Sequence, residues 1–299
     1  MSGKIDPFFL EILGKALDTI ADNMAMNLMR TAYSVIVRDS MDFSTAILDQ
    51  KGRTLAQGVT TPLHLGSFYD AMQGLIGRVG DTMSPGDVFI FNDPYLADGQ
   101  HLPDIYIVKP IYFNVKLVGW ACALAHHSDV GGIVAGSNAL GASEIYQEGL
   151  RIPVVKFMDR GKPVSAVWDI ISANVRLPEL VLGDLQSQLA SCATGEKELL
   201  ELIERRGVEK VMLYYEHLHD QAERMARAVF CEIPDGTYRF TDHLDGLGKE
   251  PKDVVLKVAI TIAGDTAHAD WAGSSPQVPA GINSPFPFTK AAVFAGLRA

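Results

Sequence analysis

Three consecutive apolar segments in the middle of the chain constrain its fold more than any other feature. They read DVFIFNDPY, DIYIVKPIYFN and KLVGWACALAHHSD, and they occupy residues 87–95, 104–114 and 116–129. Their apolar residues do not alternate cleanly with polar ones, as they would in a sheet with one face in water. We therefore expect strands that are buried on both faces and form the centre of the first half of the chain.

Helical patterns flank these strands. Asp6-Pro7 is typical of a helix start, and apolar residues then recur at three- and four-residue steps to about residue 34. A second helical segment begins near residue 178, and strand-like segments follow it, with Gly264-Asp265 as a predicted hairpin turn. This order predicts a mixed α and β (α+β) fold with mixed or antiparallel sheets, a long N-terminal helix and a central helical segment.

Shorter patterns complete the first half of the chain. The segment DFSTAILDQKGRTLAQG predicts a hairpin with its turn at Lys51-Gly52. A loop that carries His64 and a helix that ends near Val79 are expected next. Residues 129–142 are rich in glycine and have neither a helical nor a strand period, so they predict a long ordered loop.

These elements suggest two regions. Residues 1–175 form an α+β region that contains the candidate metal ligands discussed below, and residues 176–299 form a helical segment followed by a β region, packed as one unit. The last residues, SPFPFTKAAVFAGLRA, begin a helical pattern just before the sequence stops. A truncated C-terminus is therefore one expectation.

Composition narrows the functional classes. The formal net charge is -10 and the chain has no run rich in Lys and Arg, which argues against nucleic acid as a partner. No apolar run is long enough for a membrane span, and the N-terminal segment has no cleavage-site pattern, so we expect a cytoplasmic protein. Cys122, Cys192 and Cys231 are odd in number, lie far apart and form no Cys-x-x-Cys pair. Any metal site must therefore use nitrogen and oxygen ligands.

One such site is suggested by His101 and Asp104 in the motif HLPD. Residues three apart in a strand point to opposite faces, but Pro103 favours polyproline II, in which they lie on the same side. If Asn114-Val115 closes a hairpin, Asp104 pairs with Ala125, and the two histidines of AHHSD arrive beside it.

Two questions stay open at this point. Alternation does not decide whether His126 or His127 turns toward Asp104. The histidines and the carboxylate are also open to a simpler interpretation as hydrogen-bonded residues at the end of a strand. Two imidazoles and one carboxylate nevertheless form a familiar set of ligands for a divalent metal ion.

Several stretches together resemble the hydantoinase B family, which includes subunits of ATP-dependent hydantoinases and caprolactamase, the matching half of 5-oxoprolinase, and a subunit of acetone and acetophenone carboxylases. The segments that carry the resemblance include LMRTAYSVIVRDSMDFSTAILDQKGR, GDVFIFNDPYLADGQHLPDIYIVKPIY, AHHSDVGGIVAGS and EGLRIPVVK. They follow one another in the order of the family. The resemblance implies His101, Asp104 and His126 as metal ligands, with Asp42 as a further carboxylate ligand.

The resemblance also implies a function and a partner. The chain would be the metal-binding B-type subunit of an ATP-dependent cyclic amide hydrolase, in a hetero-oligomer with an A-type ATPase subunit of actin-like fold that phosphorylates the substrate. The cofactor would be one divalent ion, Zn, Mn or Fe. ATP would be bound only by the partner, because the sequence has no Walker motif. Imidazole titrates in the range needed for proton transfer, so His127 or His64 is expected to move protons, although His64 is equally open to interpretation as a loop histidine hydrogen-bonded to the backbone. Glu148 would orient a ligand unless it is a surface carboxylate.

Two alternatives accompany this interpretation. One is a subunit of an ATP-dependent ketone carboxylase, with the same metal site but a ketone in place of the cyclic amide. The other is a non-catalytic scaffold that stabilises the ATPase partner. Family members are also considerably longer than this chain, so independent activity is not expected.

Overall fold

The computed structural model describes residues 5–58, 61–64, 66–245 and 253–298. Two antiparallel sheets form its β structure. The larger sheet has the strand order β2-β1-β5-β4-β3-β6-β7 and the smaller has the order β10-β9-β8, where the strands are β1 Phe43–Leu48, β2 Thr54–Gln57, β3 Val88–Phe91, β4 Asp104–Phe113, β5 Lys116–His126, β6 Val155–Asp159, β7 Lys162–Pro163, β8 Gly236–Leu244, β9 Val254–Ala263 and β10 Thr266–Asp270.

Helices before, between and after these strands complete the fold. They are α1 Pro7–Thr31, α2 Val35–Arg38, α3 Ser67–Val79, α4 Ser165–Asn174, α5 Pro178–Arg206, α6 Val208–Phe230 and α7 Phe286–Arg298. The predicted α+β class with antiparallel sheets is confirmed. Among the helices of the described residues, none is both long and apolar enough to cross a membrane.

Strands β4 and β5 are covered on both faces, as the lack of alternation predicted. Ile107 and Ala123 belong to a core shared with α1 and α5, whereas Tyr106 and Trp120 belong to a second core shared with α3. Successive side chains of a strand point to opposite faces, so the two cores lie on the two sides of the sheet. The central sheet is therefore sandwiched between helical layers.

The N-terminal helix begins where the sequence predicted. The carboxylate of Asp6 accepts a hydrogen bond from the backbone of Phe8 at 3.0 Å. The helix ends a few residues before the predicted limit, because the backbone is extended at Ala32. The next two amides, of Tyr33 and Ser34, donate to Asp184 of α5 at 2.7 and 3.1 Å instead of continuing the helix.

The predicted turns and loop are also present. Gly52 adopts a φ of 78° in the turn between β1 and β2, and Gly264 adopts 59° between β9 and β10. Residues 129–142, all of them described, contain no helix or strand. Asp129 orders this loop by accepting hydrogen bonds from the amides of Gly131 and Gly136 and from Arg176.

Helix α5 connects the second half of the chain to the first. It packs along α1 and lies across β4 and β5. Ala121 is one of the small residues on the side of β5 that faces α5, and a Cβ built on Gly195 of α5 would lie 3.2 Å from its methyl group. The small side chains let the helix lie close to the sheet. The division between residues 175 and 176 stays a prediction.

Candidate metal centre

The pairing of β4 with β5 decides which side chains meet at the end of the sheet. Near the turn the register is as predicted, with Phe113 opposite Lys116. Further along it differs, because a bulge between Ile111 and Tyr112 shifts the pairing by one residue. The structure therefore corrects one expectation: Asp104 lies opposite His126 rather than Ala125.

The corrected register selects the histidine that faces Asp104. Residues directly opposite each other in a sheet share a face, so His126 is on the face of Asp104. The next residue, His127, is fully buried and lies 3.0 Å from the side-chain oxygen of Gln188 of α5. Its backbone amide donates to the carbonyl oxygen of Pro103 at 2.8 Å. The structure therefore brings His126, and not His127, to the cluster.

His101 reaches Asp104 through a turn. The backbone amide of Asp104 donates to the carbonyl oxygen of His101 at 3.0 Å. Polyproline II has no such internal hydrogen bond, so the predicted conformation of HLPD is wrong although the predicted convergence of the two side chains is correct. Asn92 holds the turn by donating from its side chain to the carbonyl oxygen of Leu102 at 2.6 Å.

Three ligand atoms lie within 4.8 Å of one another at this point, from His101, Asp104 and His126. Oδ1 of Asp104 is 3.1 Å from Nε2 of His101 and 3.3 Å from Nδ1 of His126. The two imidazole nitrogens are themselves 3.1 Å apart. Ligands at about 2.1 Å from one ion are separated by roughly 3.0 to 3.4 Å, so the spacing suits a single coordination shell.

The donor set and its surroundings fit a divalent cation. Asp104 is 3% exposed, and no residue in the described part of the chain gives its Oδ1 a hydrogen bond of acceptable geometry. A buried carboxylate oxygen without such a partner is costly unless a cation is bound to it. Two imidazole nitrogens and a carboxylate oxygen are ligands accepted by Zn²⁺, Mn²⁺ and Fe²⁺.

The electrostatics of the triad keep the carboxylate ionised. Burial alone would raise the pKa of Asp104, but the imidazoles of His101 and His126 outweigh this effect and hold the pKa far below its usual range. Burial also lowers the pKa of His101, but the adjacent Asp104 carboxylate more than offsets it, so this pKa lies above its ordinary value. The cluster therefore presents a negatively charged oxygen to any cation that enters.

Asp42 and His64 lie just outside the triad. Asp42 precedes β1, and its Oδ2 is 3.9 Å from Nδ1 of His126. The side chain of Asp42 is 39% exposed, which leaves it free to turn toward an ion. His64 is buried at the end of a short 3-10 turn before α3, and its Nε2 is 3.8 Å from Oδ2 of Asp104. The four predicted metal ligands thus lie together, and His64, which was predicted as a proton carrier, lies beside them.

A small cleft opens beside His101. Its volume is about 140 Å³, and His101, Gln100 and Glu148 contribute to its lining. Burial raises the pKa of Glu148. Glu148 is partly buried and lines the cleft, which favours its interpretation as a residue that acts at the site.

Two residues near the site were not found from the sequence. Ser44 of β1 places its hydroxyl 2.9 Å from Nδ1 of His64. Gln188 of α5 contacts His127 from the other side of the sheet. Gln188 is a buried polar residue one helical turn from the buried residues Leu185 and Cys192, and this interruption of an apolar stripe was its only signal in the sequence. Nothing in the local sequence distinguishes Ser44.

Comparison with known proteins places the chain in a family. The family model described as hydantoinase B/oxoprolinase matches residues 6–299. The chain belongs to the hydantoinase B/oxoprolinase family. The predicted resemblance is therefore confirmed, and the residues of the candidate metal centre lie within the matched range.

A sequence relative and a solved structure each match most of the length of this chain. The beta subunit of caprolactamase from Pseudomonas jessenii is 36% identical over 280 residues, which are 94% of this chain and 48% of that protein. The crystal structure of the ATP-dependent caprolactamase from the same organism matches with a TM-score of 0.93 and 35% identity, over 99% of this chain and 51% of that chain.

A more distant structure shares the fold. The nucleotide-free structure of acetone carboxylase matches with a TM-score of 0.89 at 20% identity, over 97% of this chain and 40% of that chain. The chain spans about half the length of the caprolactamase subunit that it matches.

Proposed function

We propose that this chain is the metal-binding B-type subunit, or the corresponding part of one, of an ATP-dependent cyclic amide hydrolase. The observation that carries the proposal is the 36% identity with caprolactamase subunit beta over 94% of the chain. The spacing of His101, Asp104 and His126 supports it, because these side chains form a compact nitrogen and oxygen site within the matched region.

The metal centre would be held by His101, Asp104 and His126, with Asp42 as a fourth ligand. Asp104 supplies the charged oxygen at the centre of the cluster, and the turn and the strand pairing fix the two imidazoles on either side of it. A divalent ion at this site would supply a Lewis acid that polarises a carbonyl or phosphoryl oxygen and activates water near neutral pH.

The surrounding residues would bind the substrate and exclude water. The cleft next to His101 provides room beside the ligands for part of a small cyclic amide. Glu148 would hold or accept a proton there, because its raised pKa brings it closer to the pH at which it can exchange one. Of the two predicted proton carriers, only His64 lies at the cluster, and we infer for His127 a role in positioning the end of β5.

Activation of the amide would depend on a partner. Opening an unstrained cyclic amide is slow because the amide carbon is a weak electrophile and the ring nitrogen is a poor leaving group. Transfer of the terminal phosphoryl group of ATP to the amide oxygen would make that carbon a stronger electrophile. Water would then add to it, the C–N bond would break as the nitrogen takes up a proton, and hydrolysis of the resulting acyl phosphate would release phosphate and the open-chain carboxylate. We infer that an A-type ATPase subunit of actin-like fold performs the phosphorylation within a hetero-oligomer. ATP would then act only through this partner.

The metal centre is tested first, with the 299-residue chain. The purified protein is stripped with chelator, dialysed against Zn²⁺ or Mn²⁺ and then against metal-free buffer, and its metal content is measured by elemental analysis. We expect wild type and the control His268→Gln, which alters an exposed histidine of β10, to retain metal. His101→Ala and Asp104→Ala should retain none while keeping the far-UV circular dichroism of the wild type. Full metal occupancy in both alanine variants would refute the ligand assignment.

The hydrolase activity is tested in the assembled complex. The chain is co-expressed with an A-type ATPase subunit, and ADP release is followed with 5-oxoproline, hydantoin and caprolactam, and with acetone plus bicarbonate. Ring opening coupled to ADP release with a cyclic amide is the expected result. Activity only with the ketone would identify a carboxylase subunit. Full amide hydrolysis by a complex that carries Asp104→Ala would identify a scaffold.

A further inference from the structure

His64 approaches the same two carboxylates as the triad, but through their other oxygens. Its Nε2 is 3.8 Å from Oδ2 of Asp104 and 3.9 Å from Oδ1 of Asp42. Nδ1 of His126 faces Oδ1 of Asp104 at 3.3 Å and Oδ2 of Asp42 at 3.9 Å. Each carboxylate thus presents one oxygen to His126 and the other to His64.

The separations on the side of His64 are too long for hydrogen bonds, which extend to about 3.2 Å for a nitrogen donor. They are close to the distance of roughly 3.4 Å between ligand atoms that share a tetrahedral ion with bonds of about 2.1 Å. Rotation of the half-exposed Asp42 side chain would shorten its separation further. The space between His64, Asp104 and Asp42 is therefore suited to a cation rather than to direct contact.

His64 is held in an orientation that a metal ligand requires. The residue is 2% exposed, and among the described residues none hydrogen-bonds its Nε2. Its other ring nitrogen, Nδ1, lies 2.9 Å from the hydroxyl oxygen of Ser44. When Nδ1–H donates to that oxygen, the lone pair of Nε2 points at the two carboxylates. A hydrogen bond to the second nitrogen is the usual way in which proteins orient a histidine ligand.

We propose that His64, Asp42 and Asp104 bind a second divalent cation, so that the two carboxylates bridge a pair of ions. The first ion is bound by His101 and His126, and the second by His64. Carboxylate-bridged ions about 3.5 to 4 Å apart are a common arrangement for the displacement of phosphate groups. This inference rests on the metal centre of the proposed function and adds a second ion to it.

The charge of such a pair suits the chemistry proposed for the complex. The two carboxylates offset the charge of one divalent ion, so the second ion leaves the centre positive. A substrate that carries a phosphate group would supply the missing negative charge. The second ion would therefore be held most tightly when a phosphorylated substrate is present, and inorganic phosphate can stand in for it in an experiment.

The test counts metal ions in the chelator-stripped chain. Wild type, His64→Gln, Ser44→Ala and the control His268→Gln are equilibrated with excess Mn²⁺ and inorganic phosphate, then separated from free metal by rapid gel filtration in the presence of phosphate. Bound manganese is measured by elemental analysis, and coupling between neighbouring ions by electron paramagnetic resonance. Circular dichroism verifies that each variant is folded.

The expected result is about two ions per chain, with a spin-coupled spectrum, in wild type and His268→Gln. His64→Gln should bind about half as much manganese and give the spectrum of an isolated ion, and Ser44→Ala should weaken the second ion by roughly 10-fold or more. Saturation of the wild type at one ion overturns the second site and leaves His64 as a proton carrier. Absence of bound metal from the wild type overturns the metal centre itself.

Discussion

Gln188 connects the two strands that carry the candidate metal centre, and its replacement by leucine is predicted to destabilise the chain substantially. Its side-chain amide donates to the carbonyl oxygens of Ile105 and Ala123 at 2.8 and 2.9 Å. Its carbonyl oxygen therefore accepts from Nε2 of His127, at 3.0 Å. The residue is fully buried, so no water replaces these three bonds when leucine removes them.

The magnitude follows from the number of bonds. A buried hydrogen bond contributes about 1 kcal/mol net, so the loss of three lowers the free energy of unfolding by about 3 kcal/mol. Leucine is similar in volume to glutamine and is apolar, so it adds little cavity cost of its own. The expected loss of stability therefore comes from polar groups left unpaired around β4 and β5.

Urea unfolding followed by circular dichroism measures this loss. The matched control is Gln73→Leu, because Gln73 is exposed and, among the described residues, its side chain donates one hydrogen bond, to the carbonyl oxygen of Lys51 at 3.0 Å. We expect the control to change the free energy of unfolding by less than about 0.5 kcal/mol. If Gln188→Leu is no less stable than Gln73→Leu, the reasoning that Gln188 fastens the strands is wrong.

Two further predictions concern stability. Hydrogen bonds from Arg53 and Lys51 lower the pKa of Glu216 from 4.5 to about 2. The stabilisation that this carboxylate contributes is therefore present above pH 4.5 and is lost as the pH falls toward 2. The difference in unfolding free energy between wild type and Arg53→Met should shrink over that interval, and a constant difference would contradict the prediction. Gly119→Ala places a methyl group 2.6 Å from the carbonyl oxygen of Leu48 and should cost about 1 to 3 kcal/mol. Gly77→Ala meets nothing within 4 Å on its helix and should not destabilise the chain, and equal thermal unfolding of the two alanine variants would refute the steric argument.

Much of the fold was predictable because its signals are local. The N-cap and proline at Asp6-Pro7 marked the start of α1, and the unbroken apolar segments marked the strands buried on both faces. Helix α4 and the short strands β6 and β7 were not predicted. Their segments are short, and β7 has only two residues, so pairing with neighbours rather than a sequence period defines it.

The residues of the candidate metal centre were predictable from the sequence, whereas the residues that support them were not. His101 and Asp104 are three residues apart, and His126 lies at the far end of a hairpin whose turn was evident in the sequence. Ser44 and Gln188 contact the site histidines across the fold, from segments that are distant in sequence. Contacts of that kind depend on the packing of β1 and α5 against the hairpin, so a local sequence pattern does not predict them.

A bulge in the hairpin determines which histidine joins the triad. With the pairing unchanged from the turn, Asp104 would lie opposite Ala125, and His127 would share its face of the sheet. A shift of one residue moves every later side chain of a strand to the other face. The bulge between Ile111 and Tyr112 makes that shift several residues before the strand ends. His126 is turned toward the carboxylate and His127 toward α5, so the candidate ligand set depends on backbone geometry at the opposite end of the hairpin.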